Sequence, residues 1–351
     1  MSLSFKPARW AALFLAPILA LSACGSNDPK AAAAECNGLP ELPTISFAAY
    51  STPREAYGKI ISAFKSKWKD EHNDQEVIFQ ESYDGSTLQA SRVVSGYEAD
   101  VVALSLGPDV DEIADAGLIT HDWTTETDGG MVTTSVVVFD VRPGNPLGIK
   151  DWNDLTTSGV EVLTPDPASS GGARWNLVSA WGSALRGYGG VTKDDEAGAT
   201  TLMQGVLGNV LSYDSSARKS IQNFEDGNGD VAITYENEVL TAQAAGKDDE
   251  AVYPPSSVLI ENPVTVVDQN VDKHCVREVA EAFVEYLHSD EAKEIYADAG
   301  YRSTDLATAQ KGGGDFSTIE DLWDVDDFGG WDALTDKLFS DTGIVTQAQA
   351  G

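Results

Sequence analysis

The sequence predicts a two-lobed α/β fold, and three features carry that expectation. Strand, small polar turn and helix recur in that order along 351 residues, the pattern of strands covered by helices. Two strand-like stretches, Thr134 to Val141 and Pro263 to Val267, stand where the chain would pass from one lobe to the other and return. The length suffices for two units, each with its own core. In such sheets ligands sit beyond the carboxyl ends of the strands, so two lobes closing there form a hinged cleft.

Each element has its own signal. A short strand, Ile45 to Tyr50, leads into Thr52-Pro53-Arg54-Glu55, which reads as a capping-box helix start with Thr52 as N-cap. Tyr57, Ile60, Ile61, Phe64 and Trp68 then share one helical face. The next strand, Val77 to Gln80, runs into Tyr83-Asp84-Gly85-Ser86 and a helix carrying Leu88, Val93 and Val94. Ala99 to Leu106 reads as a strand covered on both faces, and Val110, Ile113, Ala114 and Leu118 as a short helix. In the second half, Val160 to Leu163 is a strand, and Leu177, Val178, Trp181 and Leu185 mark the helix after it. Val210 to Tyr213 is a strand, with Ala217, Ile221 and Phe224 on the following helix, and Val231 to Tyr235 is a further strand. Val279 to Leu287 and Glu291 to Ala299 are helices, and the aromatic tail, Phe316 to Phe339, is expected to pack across the body.

The stretch between Thr164 and Leu185 carries the chemistry. Ser169-Ser170-Gly171-Gly172 falls at the start of a helix, where the amides of Gly171, Gly172 and Ala173 lack partners one turn earlier. The helix dipole is positive there, and the glycines let an anion approach the backbone. An ordinary capped start explains these four residues as well. The anion reading gains from recurrence: Ser86 and Ala217, the latter after Asp214-Ser215-Ser216, also stand at small, polar helix starts.

A formal charge of −33 makes nucleic acid and anionic lipid surfaces unsuitable partners. An anion site in such a chain must work through local dipoles, because charge is screened beyond about ten ångströms. Lys6 and Arg9 precede an apolar run, Trp10 to Leu21, that is short for a membrane span and suits a secretory signal over residues 1–23. The run ends Leu21-Ser22-Ala23-Cys24, which resembles the lipobox of bacterial lipoproteins. That resemblance implies a lipidated Cys24, a tether over residues 24–44 and an extracytoplasmic protein anchored to the membrane. Cys36 and Cys275 are a candidate disulfide in an oxidising compartment, the alternative being two free thiols. No Cys/His cluster suggests a metal, and no cofactor is expected.

Longer stretches then narrow the class. Asn145-Pro146, Asp151-Trp152-Asn153-Asp154-Leu155, Thr164-Pro165, Ser169 to Asn176, Glu98-Ala99-Asp100-Val101, Glu236-Asn237-Glu238 and Phe328-Gly329-Gly330-Trp331 together resemble the sulfate-binding proteins that serve bacterial ABC transporters. The resemblance covers nearly the whole chain after the signal. It implies a type II periplasmic-binding-protein-like fold, with residues 45–134 and 264–351 in lobe 1 and 135–263 in lobe 2. It also implies a monomer that is not an enzyme, with the permease subunits as partners. Sulfate would be held by hydrogen bonds alone, through the Ser170 hydroxyl, the amides of Gly171, Gly172 and Ala217, and donors from Ser86 and Ser51. Where the family has an indole donor this chain has Tyr235, and Ser51-Thr52-Pro53-Arg54 replaces the usual Asp-Pro-Thr-Arg.

A phenol both donates and accepts, so Tyr235 leaves thiosulfate, phosphate and molybdate as alternative guests. Asp84 beside the Ser86 turn would accept a phosphate proton if aimed inward; as a turn residue it points to solvent. Arg174 is expected to be structural, and Trp175 and Trp181 belong to the core. Asp226-Gly227-Asn228-Gly229-Asp230 begins like a calcium loop, but Val231 and Asn237 stand where glycine and glutamate are required. A serine hydrolase built on Ser170 lacks a G-x-S-x-G elbow and a placed histidine. A structural wall lipoprotein would have no need of repeated helix starts at one cleft.

Overall fold

The first lobe grows from a parallel trio of strands. The computed structural model describes residues 36, 38–302, 304 and 316–350, so the signal segment, Cys24 and most of the tether lie outside the described residues. The chain runs β1 (Thr44–Tyr50), α1 (Arg54–Glu71), β2 (Ile78–Asp84), α2 (Ser86–Val94), β3 (Val101–Ala103) and α3 (Gly107–Asp115). β1 lies between β2 and β3 and is parallel to both. Ile45, Phe47, Ala48 and Ala49 are fully buried, as suits a central strand with helices on both faces. Tyr57, Ile60, Phe64 and Phe283 build the core on one face, and Ala90, Val93, Val110 and Ile113 the core on the other.

Two elements differ from expectation here for identifiable reasons. β2 begins one residue later and runs four residues further than its apolar signal, because Ile78 to Asp84 pair residue for residue with Thr44 to Tyr50. As an edge strand it is mostly solvated and lacks buried alternation. The capping box is absent: α1 starts at Arg54 with Pro53 as N-cap and no side-chain cap bond, while the Pro53 carbonyl accepts from the Tyr57 amide. Thr52 is thereby released from the cap and accepts instead from the Tyr301 hydroxyl.

β4 (Met131–Val141) then carries the chain into the second lobe, which continues with β5 (Val162–Pro165), α4 (Gly171–Leu185), α5 (Glu196–Gly208), β6 (Val210–Asp214), α6 (Ala217–Glu225), β7 (Val231–Tyr235), α7 (Glu236–Ala244) and β8 (Glu250–Val252). β5 is parallel to β6 and β7, and β7 is antiparallel to the outer half of β4. β9 (Ser256–Val266) returns, pairing Leu259 to Pro263 with β4 and Val264 to Val266 with β3. The return crossing is therefore β9 itself, which begins at Ser256, ahead of the expected Pro263, and changes partner between Pro263 and Val264. The partner change falls at a residue without an N–H to contribute to a ladder. The main strand order is β2-β1-β3-β9-β4-β7-β5-β6, with β8 paired antiparallel to β4 off this path.

α8 (Asp268–His274), α9 (Arg277–Leu287) and α10 (Asp290–Asp298) cover the first lobe. The tail does not stay with them. β10 (Asp321–Trp323) pairs parallel with β9, and Trp323, Leu334 and Leu338, the last two on α11 (Gly330–Phe339), join the core of Trp152, Trp175, Trp181 and Leu185. Val345 of α12 (Ile344–Ala350) belongs to the same core. Residues 321–350 thus pack with lobe 2, whereas the sequence had grouped them with lobe 1. Gly182 shows why: a Cβ there would lie 2.2 Å from the Trp323 ring, which fills the space beside α4. A disulfide joins Cys36 to Cys275, with α-carbons 5.4 Å apart.

Candidate functional site

The carboxyl ends of β1, β2, β3, β5, β6 and β7 meet at one place, each followed by a turn or helix. Between them lies a small cavity whose walls include Ser51, Ser86, Ser170, Gly172, Ala217 and Tyr235. Six of the seven anion-contact residues expected from the sequence therefore surround one space. Gly171 sits between two of them in the chain and turns its α-carbon toward Ser105 and Leu106 of the first lobe.

The second-lobe wall consists of helix starts. Ser170 caps α4, its hydroxyl accepting from Ala173 N at 3.4 Å, and Gly171 and Gly172 are the first residues of that helix. Ser216 caps α6 by the same bond from Lys219 N, making Ala217 its first residue. The leading amides of both helices have no carbonyl one turn earlier, and each dipole presents its positive end. Tyr235 ends β7; its side chain is 1% exposed and its hydroxyl makes no hydrogen bond of ordinary geometry to a described residue. Burial holds its ionisation well above the usual phenol range, so it is a neutral hydroxyl.

The first-lobe wall is built differently. Ser86 begins α2, but Gly85 is the N-cap and makes no side-chain cap. The Ser86 hydroxyl donates to buried Asp109 at 2.5 Å and accepts from the Ser105 amide at 2.8 Å. Its single proton is committed, so only its backbone N–H is left for a guest. Burial raises Asp109 to about 6, against the opposing pull of the Ser86 and Thr87 hydroxyls and the Arg174 charge. Asp84 also lines the cavity and is only 16% exposed rather than turned to solvent as expected, because Arg92 holds one of its oxygens at 3.0 Å while the other accepts from Gly85 N at 3.0 Å, with Lys219 3.8 Å away.

The lobes are shut on each other around this cavity. Leu88 N donates across to Ser169 O at 3.0 Å, and Trp175 Nε1 donates to Ser105 O at 2.6 Å. Arg218, next to Ala217, bonds Glu55 and the Thr52 carbonyl of the first lobe at 2.9 Å and Glu238 of its own lobe at 3.0 Å. Burial pushes Glu238 up to about 7, although Arg218 opposes this. Two glycines set the fit. A Cβ on Gly85 would lie 2.2 Å from Ser169 O, and one on Gly171 would lie 2.2 Å from Ser105 Oγ.

Among the described residues lining the cavity there is no lysine, arginine or histidine, and no described cluster of His, Cys, Asp and Glu has the makings of a metal site. Arg174 caps the turn below, donating to Pro167 O at 3.0 Å, with Phe339 under its guanidinium. The Asp226 to Asp230 turn spends the Asn228 and Gly229 carbonyls on Arg142, as a turn before a strand rather than a calcium loop. Sequence reasoning passed over Ser105, Gly85 and Arg218. Ser105 has one signal: with Asp100 it is a polar interruption of the apolar run Ala99 to Leu106, and it sits at the strand's carboxyl end.

A two-lobed sheet whose parallel strands end at one closed cleft defines a solute-binding protein. The chain belongs to the bacterial extracellular solute-binding protein family, whose pattern matches residues 45–302. A sulfate-binding protein of Synechococcus elongatus is 39% identical over 97% of this chain and 96% of its own length. One from Escherichia coli is 43% identical over 85% and 90% respectively. The solved sulfate-binding protein SubI of Mycobacterium tuberculosis H37Rv superposes with a TM-score of 0.76 at 33% identity, covering 85% of this chain and all of SubI. This is a binding component of transport rather than an enzyme, and its place is outside the cytoplasm. No described helix is long and apolar enough to cross a membrane.

Proposed function

We propose that this protein captures sulfate in the interlobe cavity and delivers it to the permease of an ABC importer. One observation carries the reading: helix starts from two lobes and the buried Tyr235 hydroxyl surround a space that no described cation lines. Sulfate accepts hydrogen bonds and offers none, so amides of Ser51, Ser86, Gly171, Gly172 and Ala217 with the hydroxyls of Ser170 and Tyr235 suit it. Each bond to the charged guest contributes about 1.5–3 kcal/mol. Because donors come from both lobes, the guest favours the shut form over the open one. The relatives named sulfate-binding proteins support the same guest.

Cys24, lipidated after removal of residues 1–23, would hold the protein at the membrane face where the permease opens. Mass spectrometry of membrane-extracted protein tests this: the lipid mass should sit on Cys24 and vanish in Cys24→Ser. Calorimetric titration with sulfate tests the main reading, and saturation at one site without turnover is the expected result. A silent titration with sulfate beside a saturable one with thiosulfate, phosphate or molybdate would move the assignment to that oxyanion. The Tyr235 phenol, able to accept, is what keeps a protonated guest such as hydrogen phosphate as the second reading.

A further inference from the structure

We propose that Ser105 is an anion-binding residue of this cavity, its hydroxyl meeting the guest from the first lobe as Tyr235 meets it from the second. The proposal rests on the oxyanion reading above and adds a contact to it. Ser105 follows β3, is 1% exposed and lines the cavity. Its backbone is fully employed: the amide donates to Ser86 Oγ at 2.8 Å, and the carbonyl accepts from Trp175 Nε1 at 2.6 Å and Asn262 Nδ2 at 2.9 Å. These bonds, from α2, α4 and β9, fix the residue with only Oγ left over.

That Oγ is buried and makes no hydrogen bond of ordinary geometry to a described residue, its neighbour across the cleft being the Tyr235 hydroxyl. It points across the cleft, since a Cβ on Gly171 would lie 2.2 Å from it. Tyr235 Oη, in the same cavity, is also buried and has only the Ser105 hydroxyl and the Asn262 amide within reach, neither at ordinary hydrogen-bond geometry. Asn262, the nearby amide, cannot serve either hydroxyl as an acceptor, because its Oδ1 already accepts from Tyr50 at 2.9 Å and Thr133 at 3.0 Å. A buried hydroxyl without a well-formed bond is destabilising, so two of them, one from each wall, mark a surface completed by a guest. Ser86 supplies the contrast within the same lobe, its hydroxyl being held by Asp109. Ser105 is therefore a first-lobe side-chain donor still available to a guest, with Ser86 restricted to its amide. The guest this serves is a small tetrahedral oxyanion, which has oxygens enough for hydroxyls from both sides.

The test is Ser105→Ala in the full chain, read by calorimetric titration with sulfate and by thermal unfolding of the oxyanion-free protein. The expected result is affinity weakened about tenfold with the unfolding midpoint little changed, because Ser105 Oγ makes no well-formed bond within the protein. Wild-type affinity in the variant would overturn the proposal. So would a loss of affinity that tracks a lowered midpoint, which is the mark of a structural role. If wild-type protein ignores sulfate, the same pair of proteins is titrated with thiosulfate, phosphate and molybdate, and Ser105 is judged on whichever binds. Wild-type protein that binds none of them overturns both this proposal and the reading it rests on, whereas normal binding by both proteins overturns this one alone.

Discussion

The two walls of the cleft reach the same end by different means. In the second lobe, serines cap helices and their neighbours present free amides, as Ser170 does for Gly171 and Gly172 and Ser216 for Ala217. In the first lobe, α1 and α2 begin without side-chain caps, and the Ser86 hydroxyl is spent on a buried carboxylate. Both kinds of helix start are visible in the sequence, but only the strands that bring Asp109 beside Ser86 show that the hydroxyl of an uncapped start is already spent.

The largest effect should come from where the walls touch. Gly171→Ala and Gly85→Ala each place a Cβ where the other lobe's atoms already lie, so sulfate affinity should fall roughly a hundredfold or more, with far-ultraviolet dichroism unchanged. Gly172→Ala makes no such clash between the lobes, its Cβ lying 3.4 Å from Ala217, so a loss of affinity there reports crowding of the guest rather than of the walls. Next comes Tyr235→Phe, which removes a neutral second-lobe hydroxyl and should weaken binding roughly ten- to a hundredfold by titration. Unchanged affinity would mean the phenol does not donate to the guest.

Ser86→Ala should do the reverse of Tyr235→Phe. Losing the bond to Asp109 should cost about 2 kcal/mol of stability in chemical denaturation while affinity changes less than about threefold. A variant that keeps its stability and loses its affinity would erase the proposed difference between the walls. The smallest effect concerns Asp109 itself. Burial raises its folded-state value to about 6 from an ordinary 3.8, so the folded protein binds this proton more tightly than the unfolded chain. Its contribution to stability is therefore greatest below the ordinary value, falls as pH rises to about 6 and is level above that. Asp109→Asn should gain stability relative to wild type as pH rises across that window, and a pH-independent difference would argue against it.

Much of the second-lobe wall was legible because its signals are local. Ser169 to Gly172 and Ser215 to Ala217 declare helix starts within a few residues, and both line the cleft as expected. Thr52-Pro53-Arg54-Glu55 gave an equally local signal and misled, because β1 delivers the chain so that Pro53, not Thr52, takes the cap position. Ser105 was hidden inside an apolar run whose other members are core, and its importance comes from Gly171 and Tyr235, far away in sequence. α5 was passed over although Leu202, Met203, Val206 and Leu207 show helical spacing and are buried. The tail's place beside α4 depends on Trp323 meeting Gly182, a contact between residues too distant for any periodicity to reveal.

A crystal structure with sulfate bound would test most directly whether uncharged donors from opposing walls suffice to hold a divalent anion in so acidic a protein. The account predicts the sulfur centred among the amides of Gly171, Gly172 and Ala217 and the Ser105 and Tyr235 hydroxyls, with no cation in contact with its oxygens. A lysine, arginine or metal ion bonded to the sulfate, or sulfate seated away from the Ser170 turn, would contradict it.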